Sequence, residues 1–189
     1  MIIGYSLYGP DNDSYMCSDC ENIHEGMEGL KACPNCGYRT DFQYVNKQFK
    51  MKRRVYDFSF TYDGYPICSL RFKEFCVRQK YRNLEFDEFD TTNKFYIIRP
   101  TEILEYDLTR SHPRFDKFCD TCRNFESVTK PYPAYIQNIT KELADGFYRS
   151  DLMFASGNEK SPLIIIGKET RERLKKEKMK GLEFQEING

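Results

Sequence analysis

The sequence predicts an α+β fold: a mixed sheet with few helices and a zinc-ribbon element near the N-terminus. Three observations predict it. The 15 Phe and 14 Tyr, with no Trp, place rings among β-branched residues and suit a sheet-containing core. Short strand-like runs alternate with two helical segments, at residues 66–81 and 168–180. Cys17, Cys20, Cys33 and Cys36 form two Cys-x-x-Cys pairs, the zinc-ribbon pattern. With 189 residues the chain divides into a ribbon-containing segment at 1–54 and an α+β domain at 55–189. One compact unit that includes the ribbon is the default at this length.

In chain order, Gly9-Pro10-Asp11-Asn12-Asp13 is a turn leading to the first cysteine pair. Residues 17–37 hold few apolar side chains and cannot cohere by burial, so a metal is the expected staple. Residues 55–62 read as a strand that Asp63-Gly64 stops. Ile67, Leu70, Phe75 and Val77 then suggest an amphipathic helix over 66–81, with Pro66 near its first turn. The acidic run Glu85-Phe86-Asp87-Glu88-Phe89-Asp90 reads as a solvated loop, with pairing to a basic partner surface as the alternative. Residues 94–100 form the next strand, closed by Pro100, and loops dominate from 109 to 133. Leu163-Ile164-Ile165-Ile166 is a buried strand, 168–180 a charged helix facing solvent, Gly181 its stop and 182–187 a final strand.

Composition excludes several functions. Lys plus Arg equals Asp plus Glu at 29 each, so no global basic field draws the chain to nucleic acid or an anionic membrane. No run approaches the roughly 20 apolar residues that span a bilayer, and the first residues lack a signal-peptide pattern. A cytoplasmic protein is expected, without a membrane partner. In that compartment cysteines stay reduced, so metal is preferred to disulfides for the three Cys-x-x-Cys pairs.

Two residues between cysteines let both thiolates of a pair face one Zn²⁺ at about 2.3 Å, while turn amides donate to sulfur. In Cys33-Pro34-Asn35-Cys36-Gly37 the proline presets the turn and the glycine permits the left-handed conformation that ends it. The competing readings are redox dithiols or an iron site of similar geometry. His24 lies between the pairs, but four cysteines already close the site. A closed four-thiolate centre has no position for water or substrate, so the zinc is structural. Cys119-Asp120-Thr121-Cys122 repeats the spacing without a following pair. As a second metal site it needs Cys68, Cys76 or His112; otherwise it is a pair of buried thiols or the remnant of a metal knuckle. Cys68 and Cys76 read as core residues of the helix at 66–81.

Lys47, Lys50, Lys52, Arg53 and Arg54, among Phe42, Tyr44, Phe49 and Met51, are what a zinc-ribbon nucleic-acid-binding or regulatory protein would present. A solvated hairpin with lysines outward has the same composition. No phosphate-cradling glycine loop, nucleophile elbow or paired-histidine motif occurs, so no enzyme is expected.

The layout resembles the double-CXXCG immunity-like proteins of bacterial polymorphic toxin systems. Cys33-Pro34-Asn35-Cys36-Gly37 fits that family's first motif and Cys119-Asp120-Thr121-Cys122 sits where the second would be. Asp151-Leu152-Met153-Phe154, Leu163 to Ile166, Thr170, Arg171 and Gly181-Leu182-Glu183-Phe184 look like its closing strand, helix and strand. Arg123 stands in place of the second glycine, the Cys17 and Cys20 pair is additional, and tryptophan is absent. The resemblance implies a non-enzymatic protein that binds a cognate toxin and blocks it through complementary shape and charge.

Overall fold

The computed structural model describes residues 1–17, 30–89, 92 and 94–189. In order, its elements are β1 (Ile2–Tyr8), β2 (Phe58–Phe60), β3 (Pro66–Ser69), α1 (Leu70–Arg78), β4 (Leu84–Glu88), β5 (Phe95–Pro100) and β6 (Ile103–Leu104). There follow α2 (Leu108–Ser111), β7 (Arg114–Cys119), β8 (Asn124–Thr129), β9 (Ala134–Tyr135) and β10 (Phe147–Ser156). A short 3₁₀ turn at Gly157–Glu159, β11 (Ser161–Ile166), α3 (Lys168–Lys176) and β12 (Glu183–Asn188) complete the chain. This is the expected α+β class.

The strands form two sheets. The larger runs β7-β8-β10-β11-β1-β12-β9, with β6 pairing parallel to β10, and the smaller runs β2-β3-β5-β4. Alternation along the strands sorts side chains between layers. Ile164 and Ile166 of β11, Phe58 of β2, Cys68 of β3 and Tyr96 and Ile98 of β5 meet Phe72, Phe75 and Cys76 of α1 in the principal core between the sheets. Ile165 of β11 faces the other way, into a second cluster with Tyr106, Ile136 and Ile187. Ile67, Phe95 and Ile97 line the outer face of the small sheet against Met16, Phe49 and Met51. A register shift between Ile2 and Gly4 explains why Ile3 joins the second cluster while Leu7 joins the first.

Several expectations shift. The helix expected over 66–81 begins at Leu70, because Ser69 caps it by accepting the Phe72 amide at 3.2 Å, and Pro66–Ser69 pairs with β2 and β5 instead. Cys68 therefore lies on a strand and Cys76 on the helix, both buried. Residues 109–133 hold more than loops: β7 and β8 form an antiparallel hairpin, with Phe115 opposite Val128. The acidic run expected as a loop supplies β4, where Asp87 pairs with Arg99. The last helix stops at Lys176 rather than Lys180, and Gly181, at φ +84°, turns the chain past the Phe58 carbonyl into β12. The first strand at Ile2–Tyr8 carried no sequence expectation; it lies between β11 and β12. No described helix is long and apolar enough to cross a membrane.

Candidate metal centre

Cys33, Cys36, Cys119 and Cys122 converge. Their sulfur atoms all lie within 4.8 Å of one another. Cys33 Sγ is 3.8 Å from Cys119 Sγ, and Cys36 Sγ is 3.6 Å from Cys122 Sγ. Four sulfurs bound about 2.3 Å from one Zn²⁺ would stand roughly 3.8 Å apart along tetrahedral edges. The spacing therefore fits a structural metal such as Zn²⁺. Among the described residues this is the one grouping of metal-type ligands.

Two turns of the same design supply the thiols. In the first, Gly37 N–H donates to the Cys33 carbonyl at 2.9 Å; in the second, Arg123 N–H donates to the Cys119 carbonyl at 2.8 Å. The residue closing each turn is left-handed, Gly37 at φ +73° and Arg123 at φ +56°. Arg123 thus closes its turn in the same backbone region as Gly37. The first turn is held by the bridge between Ala32 and Arg39, and the second joins β7 to β8.

Electrostatics favours a cation at the centre. Amides of Cys36 and Asn35 pull the Cys33 thiol below its ordinary value. The Asn35 side chain, donating to Cys119 Sγ at 3.3 Å, and then the Cys122 amide bring Cys119 down to about 6. Burial pushes Cys36 up to about 12. Four thiolates this close cannot all ionise without a positive charge among them. A buried cation already stands nearby: the Lys160 ammonium lies 4.3 Å from the centre of the Tyr38 ring, which packs against the cysteines. Burial lowers the Lys160 value, and the neighbouring Cys122 and Cys36 oppose that shift.

The centre joins positions 86 residues apart, so it is not a purely N-terminal ribbon. Cys33 and Cys36, expected to complete a quartet with Cys17 and Cys20, meet Cys119 and Cys122 instead. Cys17 has other partners. Its sulfur is 3.2 Å from the Tyr65 hydroxyl and 3.8 Å from Arg39 Nη1, and its amide donates to Asp63 at 2.7 Å. Burial raises its thiol, with Asp63 adding to the effect. Cys20 and His24 lie outside the described residues. Cys68, Cys76 and His112, the groups expected to complete a site around Cys119 and Cys122, are absent from the cluster; His112 ends α2 in a left-handed conformation.

The basic stretch is partly committed to local contacts. Lys47 donates to the Glu88 carbonyl at 3.2 Å, Arg53 sits 5.0 Å from the Tyr56 ring centre, and Arg54 sits 5.9 Å from that of Phe95. Lys50 and Lys52 are exposed. Phe49 and Met51, between them, are buried in the cluster outside the small sheet, and this segment forms no hairpin.

No protein-family model and no curated protein matches the chain. Within the chain, the fold brings together two of the three Cys-x-x-Cys motifs, Cys33/Cys36 and Cys119/Cys122.

Proposed function

We propose that this chain is a non-enzymatic, zinc-stapled binding protein of the immunity type, which neutralises a cognate toxin by direct contact. The observation that carries the reading is the convergence of Cys33, Cys36, Cys119 and Cys122 within 4.8 Å. A centre closed by four thiolates offers no coordination position for a substrate, so its part is to fix the surrounding surface. The order of elements supports the reading: β11, α3 and β12 follow one another as the closing strand, helix and strand that the resemblance implies. Arg123 in a left-handed conformation accounts for the missing second glycine.

Metal analysis of the purified chain should give about one zinc per molecule, and the paired substitutions Cys33→Ser and Cys119→Ser should abolish it. A chain without metal when purified under reducing conditions would overturn the zinc assignment. Function is read separately: a neighbouring gene encoding a toxin is expected, and its toxin domain is co-expressed with the chain. Co-purification with that domain and survival of the cells are expected. Neither binding nor protection would overturn the immunity reading while leaving the metal assignment intact.

A further inference from the structure

A cleft of about 370 Å³ opens between the two sheets, bounded by β3, β4 and β5 on one side, β10 and β11 on the other, and residues 39–43 at one end. Three arginines are among its lining residues: Arg39, Arg99 and Arg149. Glu85 is the one carboxylate on its wall, and Asp87 pairs with Arg99 from outside the lining, so the cleft carries a formal excess of one positive charge. The remaining surface is largely apolar, with Phe42 and Met153 among its residues. Its volume falls in the range of small-molecule sites, and an apolar wall with a few convergent polar groups is the usual composition of such a site.

The three arginines differ in what holds them. Arg39 is almost wholly buried, its guanidinium 4.2 Å from the Tyr65 ring centre and 5.1 Å from that of Phe42. It donates to the backbone carbonyls of Asp63 and Lys160. Arg99 is fixed by the Asp87 carboxylate and the Phe42 carbonyl. Arg149 is different. Among the described residues its side chain makes one hydrogen bond, from Nη1 to the Ser150 carbonyl at 3.5 Å, and no ion pair. Its backbone is nevertheless anchored in β10 opposite Ile164, and Met153, opposite Pro162, lines the same cleft.

Donor capacity is in surplus around the cleft. Four buried side-chain nitrogen or oxygen atoms lack a partner among the described residues, and two of them are Arg39 Nε and Arg99 Nη2. Unmet buried donors are costly; both of these are sealed from solvent and Arg99 is paired with Asp87, so the arginine left to meet a ligand is Arg149. We propose that this cleft binds an oxyanion, a carboxylate or phosphate carried on an aromatic or other apolar body, with Arg149 gripping the anion and the buried Arg39 adding a fixed positive charge nearby. Arg149 keeps a planar fork for two-point contact with such a group, which a lysine could not reproduce. The apolar body lies against Phe42 and Met153. Phe42 also packs on the cysteine centre, so the staple steadies one wall of the cleft.

The site is independent of which protein partner the chain has. The oxyanion belongs either to a free small acid or to an acidic side chain, and the probes tell the two sources apart. Titrations followed by NMR of the Met153 methyl group would use benzoate, phenyl phosphate, a doubly blocked Asp-Phe dipeptide and benzylamine. Saturable shifts are expected for the anions at low salt and none for benzylamine. Tighter binding of the blocked dipeptide than of benzoate identifies a protein side chain as the source, and the reverse order a free acid. Arg149→Gln should weaken binding about tenfold or more, and Arg149→Lys should not restore it. Unchanged thermal unfolding of both variants would show that the fold is intact. No saturable anion binding by the parent protein, equal binding of benzylamine, or full affinity in a folded Arg149→Gln protein would overturn the proposal.

Discussion

The cysteine corner and the core between the sheets cohere by different means. The core buries fourteen residues, from both sheets and from α1 and α3. The corner buries three, Cys33, Tyr38 and Cys119, with Cys36, Phe42 and Cys122 partly covered. Apolar burial stabilises by about 25 cal/mol per Å² removed from water, so the corner has little to draw on. The fold closes the principal core by hydrophobic packing and gathers in the corner four sulfurs whose spacing suits a structural metal.

Metal removal should break that comparison most visibly. With a strong chelator present, the amides of Gly37 and Arg123, which hold the two cysteine turns, should exchange with solvent roughly a hundredfold faster or more. Amides in the β1–β11 ladder should keep their protection. Equal loss in both places would show that the corner is not a separate unit. Acid should act in the same direction, because metal-bound thiols must be ionised and protons compete for them. Cys119, held at about 6, resists protonation until the pH falls below that value. Cys36, pushed up to about 12, must release a proton when metal binds near neutral pH. Metal affinity measured across pH should therefore weaken steadily as pH falls from 9 to 7, with the proton that Cys36 releases, and more steeply below about 6, where Cys119 also takes a proton.

The core answers to a different substitution. Phe72 is fully buried, with ring centres 5.6 Å from Phe58 of the small sheet and 6.1 Å from Phe147 of the large one. Phe72→Ala should cost about 3–5 kcal/mol in a denaturant titration, the loss typical of a large cavity. The metal content of the variant should stay unchanged. Loss of metal together with stability would show that the two regions fold as one.

This division also explains what could be read from the sequence. The final strand, helix and strand were legible because an aliphatic run, a charged helical segment and Gly181 follow one another with nothing to compete. The β7–β8 hairpin was not. Its apolar positions, Phe115, Phe118, Phe125 and Val128, alternate with charges over short spans, and Lys117 breaks the period at φ +52°. Cys33 and Cys36 were legible as candidate ligands from their spacing. Their pairing was not, because three Cys-x-x-Cys pairs share that spacing and only the tertiary fold selects among them. Sequence proximity favours Cys17 and Cys20; the hairpin brings Cys119 and Cys122. The arginine-lined cleft had no local signature, since Arg39, Arg99 and Arg149 lie on separate parts of the chain and meet only when the sheets face each other.

A smaller effect is expected where the N-terminal segment meets the small sheet. Asp63, fully buried, accepts the amides of Met16 at 2.9 Å and Cys17 at 2.7 Å, while its own carbonyl accepts from Arg39. Asp63→Asn keeps the shape but turns one acceptor into a donor facing an amide. A loss of about 1.5–3 kcal/mol is expected, the range for a hydrogen bond to a charged group. The substitution should also release the Cys17 thiol from its pocket, read as faster labelling by a thiol reagent in the folded protein. Unchanged stability and labelling would mean that the carboxylate does not hold this segment.

The smallest effect has the opposite sign and compares the two halves of the metal centre. Gly37 and Arg123 close equivalent turns in the left-handed region, at φ +73° and +56°. A residue with a Cβ adopts that conformation at a cost of roughly 1–2 kcal/mol, part of which glycine gives back through its greater freedom in the unfolded chain. Arg123→Gly should therefore stabilise the metal-bound protein by about 0.5–1 kcal/mol, or roughly 1–4 °C in thermal midpoint for a chain of this length. Gly37→Ala should destabilise it by a similar amount. In chelator, where both turns are released, the two substitutions should lose most of their effect on the folded protein. If Arg123→Gly instead destabilises the metal-bound form, the arginine side chain contributes more to the centre than its backbone conformation costs, and the two turns are not equivalent.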